Sequence, residues 1–371
     1  MMDRAALSDI SLKLIQMSVE FSRAGRLADA ISAMEQACTA ALAAFSALPA
    51  SFKFVPREQL PGILDKEHFV FRIGSNQLQV FADEQCAPKG ASYIRRFSII
   101  GYLAASLAKT MPPGTTVSCV FDVGDGEDVG DYHRFAFSSA HANSTLIPDP
   151  YYFETQGYAN LRKTVADEGR PWEERKNVVF WRGGATGLPF LKPDEVSNWR
   201  RLQRLQFCEA SRQAVNSERM DIGLTDLTQI PTEEIKNQIR AADLMRPAVG
   251  KRDFLNFRYL IDIDGNSNSW SLLEKMIMGA TIIKVDSPQG YRQWYYDRLV
   301  AWESYVPVSS DLSDLEEKVE WVFANPSKAK RIAETGAAVA GELTMSRVLL
   351  EAEAVFFVAM IKKGRDIVVP L

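Results

Sequence analysis

Histidine and cysteine are scarce in this chain of 371 residues: three of the first and four of the second. Cys38, Cys86, Cys119 and Cys208 show no C-x-x-C spacing, and His68, His133 and His141 are equally dispersed. That argues against a zinc site, and no metal is expected. Cys38 and Cys119 sit in apolar patterns and read as buried thiols of a reducing compartment. An excess of positive charge is also missing. The net charge is −4 and the pI is near 5.6, which argues against a general nucleic-acid binder. No apolar run is long enough to span a bilayer: residues 348–361 are too short and carry Glu351 and Glu353. At most a peripheral membrane contact is expected. No basic segment followed by an apolar core opens the chain, so no signal peptide is expected. The expectation is a cytoplasmic protein, with the inner face of the membrane as the alternative. Length and a 46% hydrophobic, 24% charged composition suit a soluble protein of two domains.

The stretch 259–284, YLIDIDGNSNSWSLLEKMIMGATIIK, is the most informative one present. An apolar run ends in Asp264, Gly265, Asn266 and Ser267. Leu272, Leu273, Met276 and Ile277 follow at helical spacing, and a β-branched run, 281–283, ends at Lys284. Strand, polar glycine turn, helix and strand make a βαβ unit. Its turn lies at the carboxyl end of a strand, where open α/β sheets bind ligands, and a helix start favours an anion such as a nucleotide phosphate. A related pattern lies upstream. The run NVVFW at 177–181 is followed by Arg182, Gly183, Gly184, Ala185, Thr186 and Gly187, which read as a loop. Glycines allow close backbone approach, and an arginine supplies a permanent charge for phosphate. Neither stretch is a G-x-G-x-x-G or a P-loop.

Residues 8–24 and 27–48 read as a helical hairpin broken at Gly25, packed on the main body or serving as a homo-oligomer contact. Strands are expected at 68–73 and 78–81 with a hairpin turn between them, a helix at 98–109, and a buried strand at 115–123. Residues 166–176 suggest a linker. Beyond it a helix is expected over 198–215, a short strand over 221–224 and a helix over 232–242. Ser313 to Glu316 fits a capping box, with further helices at 328–340 and 346–362. The expected organisation is a hairpin (1–50), a first α/β domain (51–170), a second α/β domain (175–345) that holds both glycine turns, and a C-terminal helix (346–371). Two Rossmann-type α/β domains facing a cleft, closed by a C-terminal helix, describe a GT-B-like fold, which composition alone does not separate from other doubly wound folds.

YLIDIDGNSNSW, then DSPQGYRQWYYDRLVAWESYVPVSSDLSDLEEKVEW and KAKRIAETG, resemble glycosyltransferase family 90. The likeness extends upstream through Phe180-Trp181-Arg182-Gly183 and Phe137-Ser138-Ser139, and none is seen before about residue 90. The family includes capsule-associated and lipopolysaccharide-modifying transferases and protein O-glucosyltransferases. The resemblance implies a GT-B fold and inversion at the anomeric carbon. It also implies a nucleotide-sugar donor, UDP-glucose or UDP-xylose above all, with no cofactor and no metal. The acceptor would be a hydroxyl of a cell-surface glycan or lipid-linked glycan. The family's base is an aspartate after the last strand of the N-terminal domain, matched by Asp125, with Asp122 as runner-up. Its phosphate site matches Arg182 and Gly183 in one loop and Ser269 and Trp270 in the other turn. Two donor-phosphate arginines of related eukaryotic enzymes are replaced by Ala185 and Ser271. Lys275, Arg200 or Arg204 are the candidate substitutes.

Each assignment has a plainer counterpart. Asp125 precedes a glycine and equally suits a turn. Arg182 could bind diphosphate or pair with a carboxylate. Asp262, Asp264, Gly265 and Asn266 could recognise donor hydroxyls or cap the next helix, and Gly184 and Thr186 belong to the first loop. Arg200, Arg201 and Arg204 fit a solvated helix face. His133, His141 and Tyr152 follow the base, where related enzymes line the acceptor pocket; structural hydrogen bonds are the alternative. Trp294, Tyr295 and Tyr296 suit core packing or sugar stacking.

Overall fold

The computed structural model describes residues 4–62, 64, 67–124 and 132–363. The chain divides into two compact units. The first takes the N-terminal part to Gly157, apart from a short segment beginning at Asp125, together with the segment from Met345 onward; the second is Tyr158–Thr344.

In the first unit, helices α1 (Arg4–Arg23) and α2 (Leu27–Ser46) are separated by Gly25, whose φ of +73° suits glycine. In α2, Ala30, Ala33, Met34, Ala37, Cys38, Ala41 and Leu42 recur at helical spacing and are buried. Strands β1 (Ala50–Val55), β2 (His68–Gly74) and β3 (Leu78–Asp83) come next. They are followed by α3 (Gly90–Ile94), α4 (Phe97–Ala108), β4 (Thr116–Asp122), β5 (Arg134–Ala136), β6 (Ser144–Leu146) and α5 (Pro150–Glu154). The sheet order is β1-β3-β2-β4-β5-β6. It is a mixed sheet, which corrects the expectation of a Rossmann-type domain here. The cause is local. Gly74 N–H donates to Gln77 O at 2.9 Å, and so short a connection can join β2 to β3 only antiparallel; β2 and β4 are antiparallel as well. The C-terminal helix Met345–Lys363 belongs to this unit. Ser106 Oγ donates to Glu353 at 2.6 Å, and Phe356 packs 4.7 Å from Phe135 between ring centroids.

The second unit runs α6 (Ala159–Glu168), β7 (Lys176–Gly184), α7 (Gln203–Gln213), β8 (Met220–Asp226), α8 (Glu233–Ala241) and β9 (Phe257–Asp262). It continues with α9 (Leu272–Ile277), β10 (Thr281–Val285), β11 (Val306–Val308), α10 (Leu315–Ala324) and α11 (Pro326–Glu342). Its sheet, ordered β11-β10-β9-β7-β8, is parallel throughout. Numbered within the unit, that order is 2-1-3-4-5 read from the β8 edge, a doubly wound sheet with its switch point between β7 and β9. Val179, Trp181, Tyr259, Ile261 and Ile283 alternate along the strands into one core. Phe180 faces the other way and stacks on Phe257 at 3.9 Å.

Several local expectations are corrected. Residues 182–184 are strand, not loop, because β7 keeps pairing with Gly223, Leu224 and Asp226 of β8. The helix expected over 198–215 begins at Gln203, since Leu202 is extended at φ −75°, ψ 124°. The capping box at Ser313 does not form. Asp314 accepts from Ser309 N–H instead, and Ser313 turns to Asp311. Three short strands, β5, β6 and β11, carry no sequence signal of their own. All four cysteines are free and buried, and burial pushes the Cys86 and Cys208 thiols up to about 12. Among the described residues no helix is long and apolar enough to cross a membrane.

Gly101 in α4 marks a close helix contact: a Cβ there would lie 2.8 Å from Phe45 Cβ of α2. Gly101→Val should therefore cost about 1–3 kcal/mol through overpacking. Gly62→Ala, where a Cβ meets nothing within 4 Å, should change stability by less than about 0.5 kcal/mol. Thermal melts of the two variants check this, and equal melting would contradict the close packing of α4 on α2.

Candidate functional site

The switch point brings the ends of β7 and β9 together without a strand between their following loops. One side chain ties them. Arg204, early in α7, donates from Nε to Asp264 O at 2.8 Å and from Nη2 to Ile263 O at 3.2 Å. Its Nη1 reaches Gly184 O at 3.1 Å and Thr186 Oγ1 at 2.7 Å. A second tie runs from Gly187 N–H to Asn266 Oδ1 at 3.1 Å. The loops approach so closely that a Cβ on Gly265 would lie 2.7 Å from Thr186 Oγ1. Glycine is needed there for space. Gly184, Thr186, Asp264, Gly265 and Asn266 are thus gathered in one place.

Beyond the turn lies a buried polar patch. Asp264 Oδ1 accepts from Ser269 N–H at 3.2 Å, and Gln293 Nε2 donates to Ser269 O at 2.9 Å. Burial pushes the Asp264 carboxyl up to about 6; Ser287 and Lys284 oppose the rise and Asp262 adds to it. Ser267 Oγ, both amide atoms of Asn268 and the Tyr296 hydroxyl are buried without hydrogen-bond partners among the described residues. Such groups are rare in a settled interior, because each one costs about 1–3 kcal/mol.

Two lysines of the βαβ unit have opposite surroundings. Lys275 of α9 donates to Asp262 Oδ1 at 2.8 Å in an ion pair buried on both sides. Lys284, at the carboxyl end of β10, is 6% exposed and makes no ion pair among the described residues. Among them it makes one long hydrogen bond, 3.5 Å, to Val285 O, and its ammonium lies 5.2 Å from the Tyr296 ring centroid.

The remaining sequence candidates fall as follows. Arg182 is committed to its own sheet. Its Nη2 pairs with Asp221 at 2.6 Å, while Nη1 reaches Trp181 O and Asp221 O and Nε reaches Pro247 O. Gly183 is strand, and a Cβ on it would meet the Trp181 ring at 2.5 Å. Ser269 Oγ lies 3.3 Å from Ser271 Oγ, and Trp270 is half-buried. Arg200 and Arg201 do not join Arg204; they pair with Glu209 and Glu195. In the first unit His133 Nε2 bonds Thr145 Oγ1 at 2.8 Å, and Tyr152 is wholly buried in α5. Asp125 lies outside the described residues. Asp122 ends β4, and its Oδ1 accepts from Gly124 N–H at 2.8 Å. Among the described residues no group of three His, Cys, Asp or Glu is placed to hold a metal ion.

Sequence reasoning missed Asn268 and Gln293, named Ser267 and Lys284 only as the ends of their runs, and gave Tyr296 core packing or sugar stacking. A lysine that ends a β-branched run inside an α/β unit was the available signal for Lys284.

The sequence profile of Glycosyl transferase family 90 matches residues 154–351, more than half of the chain and nearly the whole second unit. The chain belongs to glycosyltransferase family 90. It is similar to Protein O-glucosyltransferase 3 of Homo sapiens, 32% identical over 43% of this chain and 30% of that protein. Protein O-glucosyltransferase 2 of Danio rerio is 29% identical over 49% of this chain and 32% of its own length. The chain thus spans about a third of the length of these curated relatives. The crystal structure of TarM matches 60% of this chain at 10% identity with a TM-score of 0.37, too low to carry fold or activity across.

The raised carboxyl of Asp264 sets a pH dependence. Its folded pKa, about 6, lies above the unfolded value of roughly 3.9, so the folded state binds the extra proton. Its contribution is then fully present below about pH 4 and is lost as pH rises toward 6, by on the order of 2–3 kcal/mol. Asp264→Asn keeps the acceptor for Ser269 N–H and removes the charge. The variant should gain on the wild type between pH 4 and 7.5 in urea melts; a difference that stays constant with pH would show that Asp264 is not shifted.

Proposed function

We propose that this glycosyltransferase inverts at the anomeric carbon and moves a sugar, glucose or xylose first, from a nucleotide-sugar donor to a hydroxyl of a cell-surface glycan or lipid-linked acceptor. UDP is the proposed nucleotide. The donor is proposed to bind the second unit at the carboxyl ends of β7, β9 and β10. The observation that carries this is Lys284, a buried ammonium that makes no direct ion pair among the described residues. A buried charge without a direct partner is costly, and a diphosphate would supply one. The switch-point position and the unpartnered Ser267 and Asn268 support the same place. The relatives' name, protein O-glucosyltransferase, supports glucose. In this reading Lys284 takes over from the family arginines replaced by Ala185 and Ser271, Lys275 being held by Asp262 and Arg204 by the loop carbonyls. The doubly wound parallel sheet of the second unit is of the kind a GT-B enzyme uses to hold its donor, which supports that part of the reading.

The chemistry needs one carboxylate to take the proton of the attacking hydroxyl and one positive group to stabilise the leaving diphosphate. Asp125 is the proposed base, and no divalent ion enters the scheme. A second reading, a lapsed transferase that binds nucleotide without turnover, draws on the commitment of Arg182 to Asp221.

Two variants test this. Lys284→Met should weaken UDP and inorganic pyrophosphate by about ten- to a hundredfold while leaving uridine unchanged, from a charge-assisted bond of roughly 1.5–3 kcal/mol. A thermal melt without ligand checks that the variant folds. Equal UDP affinity in calorimetry would remove Lys284 from the site. Asp125→Asn should cut transfer by roughly 10²–10⁴-fold with donor affinity kept. Wild-type protein that binds UDP-glucose yet transfers to no glycan acceptor would favour the lapsed enzyme.

A further inference from the structure

A second cluster lies at the other end of the same sheet. The turn before β11 carries Trp302 in the left-handed region, φ +67°, a conformation that costs a bulky residue about 1–3 kcal/mol. The turn over-determines it: Trp302 N–H donates to Tyr305 O at 2.7 Å, and Ser304 Oγ bonds both Val300 N–H and Val300 O. The result is an indole fixed at the surface, 42% exposed. Trp321 of α10 meets it edge to face at 4.8 Å.

Trp302, Glu303 and Trp321 form one side of a cavity of about 350 Å³; Lys328, Arg331, Ile332 and Thr335 form the other. The last four are spaced i, i+3, i+4 and i+7, one face of α11. Lys328 and Arg331 are exposed, and neither makes an ion pair or side-chain hydrogen bond among the described residues. Their neighbours differ. Lys330 pairs with Glu173 and Glu334, and Lys318, whose ammonium is 5.6 Å from the Trp302 ring centroid, pairs with Asp314 and Glu317.

We propose that this cavity is a surface binding site for a saccharide that carries an acidic group. A rigid indole offers a flat apolar face to the C–H side of a pyranose ring. Glu303 can accept from sugar hydroxyls, and Thr335 can donate to them. Lys328 and Arg331 supply charge-assisted bonds to a carboxylate or phosphate on the sugar. Because Trp302 precedes β11, the cavity lies at the amino end of that strand, away from the carboxyl ends that hold the donor site. Binding here needs no transfer activity and stands apart from the donor reading.

The test uses the whole chain, titrated by calorimetry with oligogalacturonate, glucose 6-phosphate and maltotriose. An acidic saccharide should bind at least about tenfold more tightly than maltotriose, and its affinity should fall with added salt. The better of the two acidic probes identifies carboxylate or phosphate as the recognised group. Lys328→Glu with Arg331→Glu, both at the surface, should abolish that preference and leave UDP affinity unchanged. Thr335→Trp should fill the cavity and block binding even if Trp302→Ala fails to fold. Absence of binding by the folded wild type, or binding indifferent to the charge reversal, would overturn the site.

Discussion

The guanidinium of Arg204 is the constraint on which the second unit's site depends. Where a parallel sheet switches direction, the strands on either side of the switch point lead into loops that part from each other. The carbonyls at their ends then have no neighbouring strand to supply N–H donors. Arg204 reaches three of them, on Gly184, Ile263 and Asp264, and Thr186 as well. An arginine suits this work because its donors form a fixed planar fork. Burial lowers its pKa, with Asp264 and Asp262 opposing the shift, yet a guanidinium keeps its proton. With these carbonyls satisfied, the two loops can close on each other, and Gly265 is the residue whose missing side chain gives them room.

This explains why the site was only partly legible in the sequence. The βαβ unit at 259–284 could be read because its signals are local: an apolar run, a polar glycine turn, helical spacing and a second apolar run. The grouping of Asp264, Gly265 and Asn266 followed from that turn. Arg204 could not be placed in the same way. Its sequence neighbours Arg200 and Arg201 look equivalent, and only the crossover of α7 over the sheet separates their fates. Arg182 was misread as a loop residue for a similar reason. A strand ends where its partner ends, and the partner, β8, lies some forty residues away in the chain, as the pairing of Arg182 with Gly223 shows.

The first unit shows the same limit at the level of topology. Apolar runs marked β2, β3 and β4, and the short turn marked the hairpin. Its antiparallel pairing then makes the whole sheet mixed, which the domain-level expectation of a Rossmann-type fold did not take into account. Strands of three residues, such as β5 and β6, are too short to show a period and exist only because a neighbouring strand pairs with them.

Lys275 and Lys284 carry the argument from structure toward chemistry. They lie nine residues apart in one βαβ unit, and both are buried. Lys275 has Asp262 at 2.8 Å, so its burial is accounted for within the protein. Lys284 has a carbonyl at 3.5 Å, an aromatic ring, and Asp264 close enough to act on only through the field. A cation–π contact offsets roughly 0.5–2 kcal/mol, less than the several kcal/mol that removing an ammonium from water costs. Asp264, although burial pushes its carboxyl up to about 6, is mostly ionised at neutral pH and offsets part of the rest through the field. What is left without a direct partner among the described residues is the hydrogen-bonding capacity of the ammonium, together with the orphaned polar atoms. A ligand that brings acceptor oxygens to Lys284, Ser267 and Asn268 together would resolve the cation and the orphaned polar atoms at once, which no rearrangement of a single side chain does.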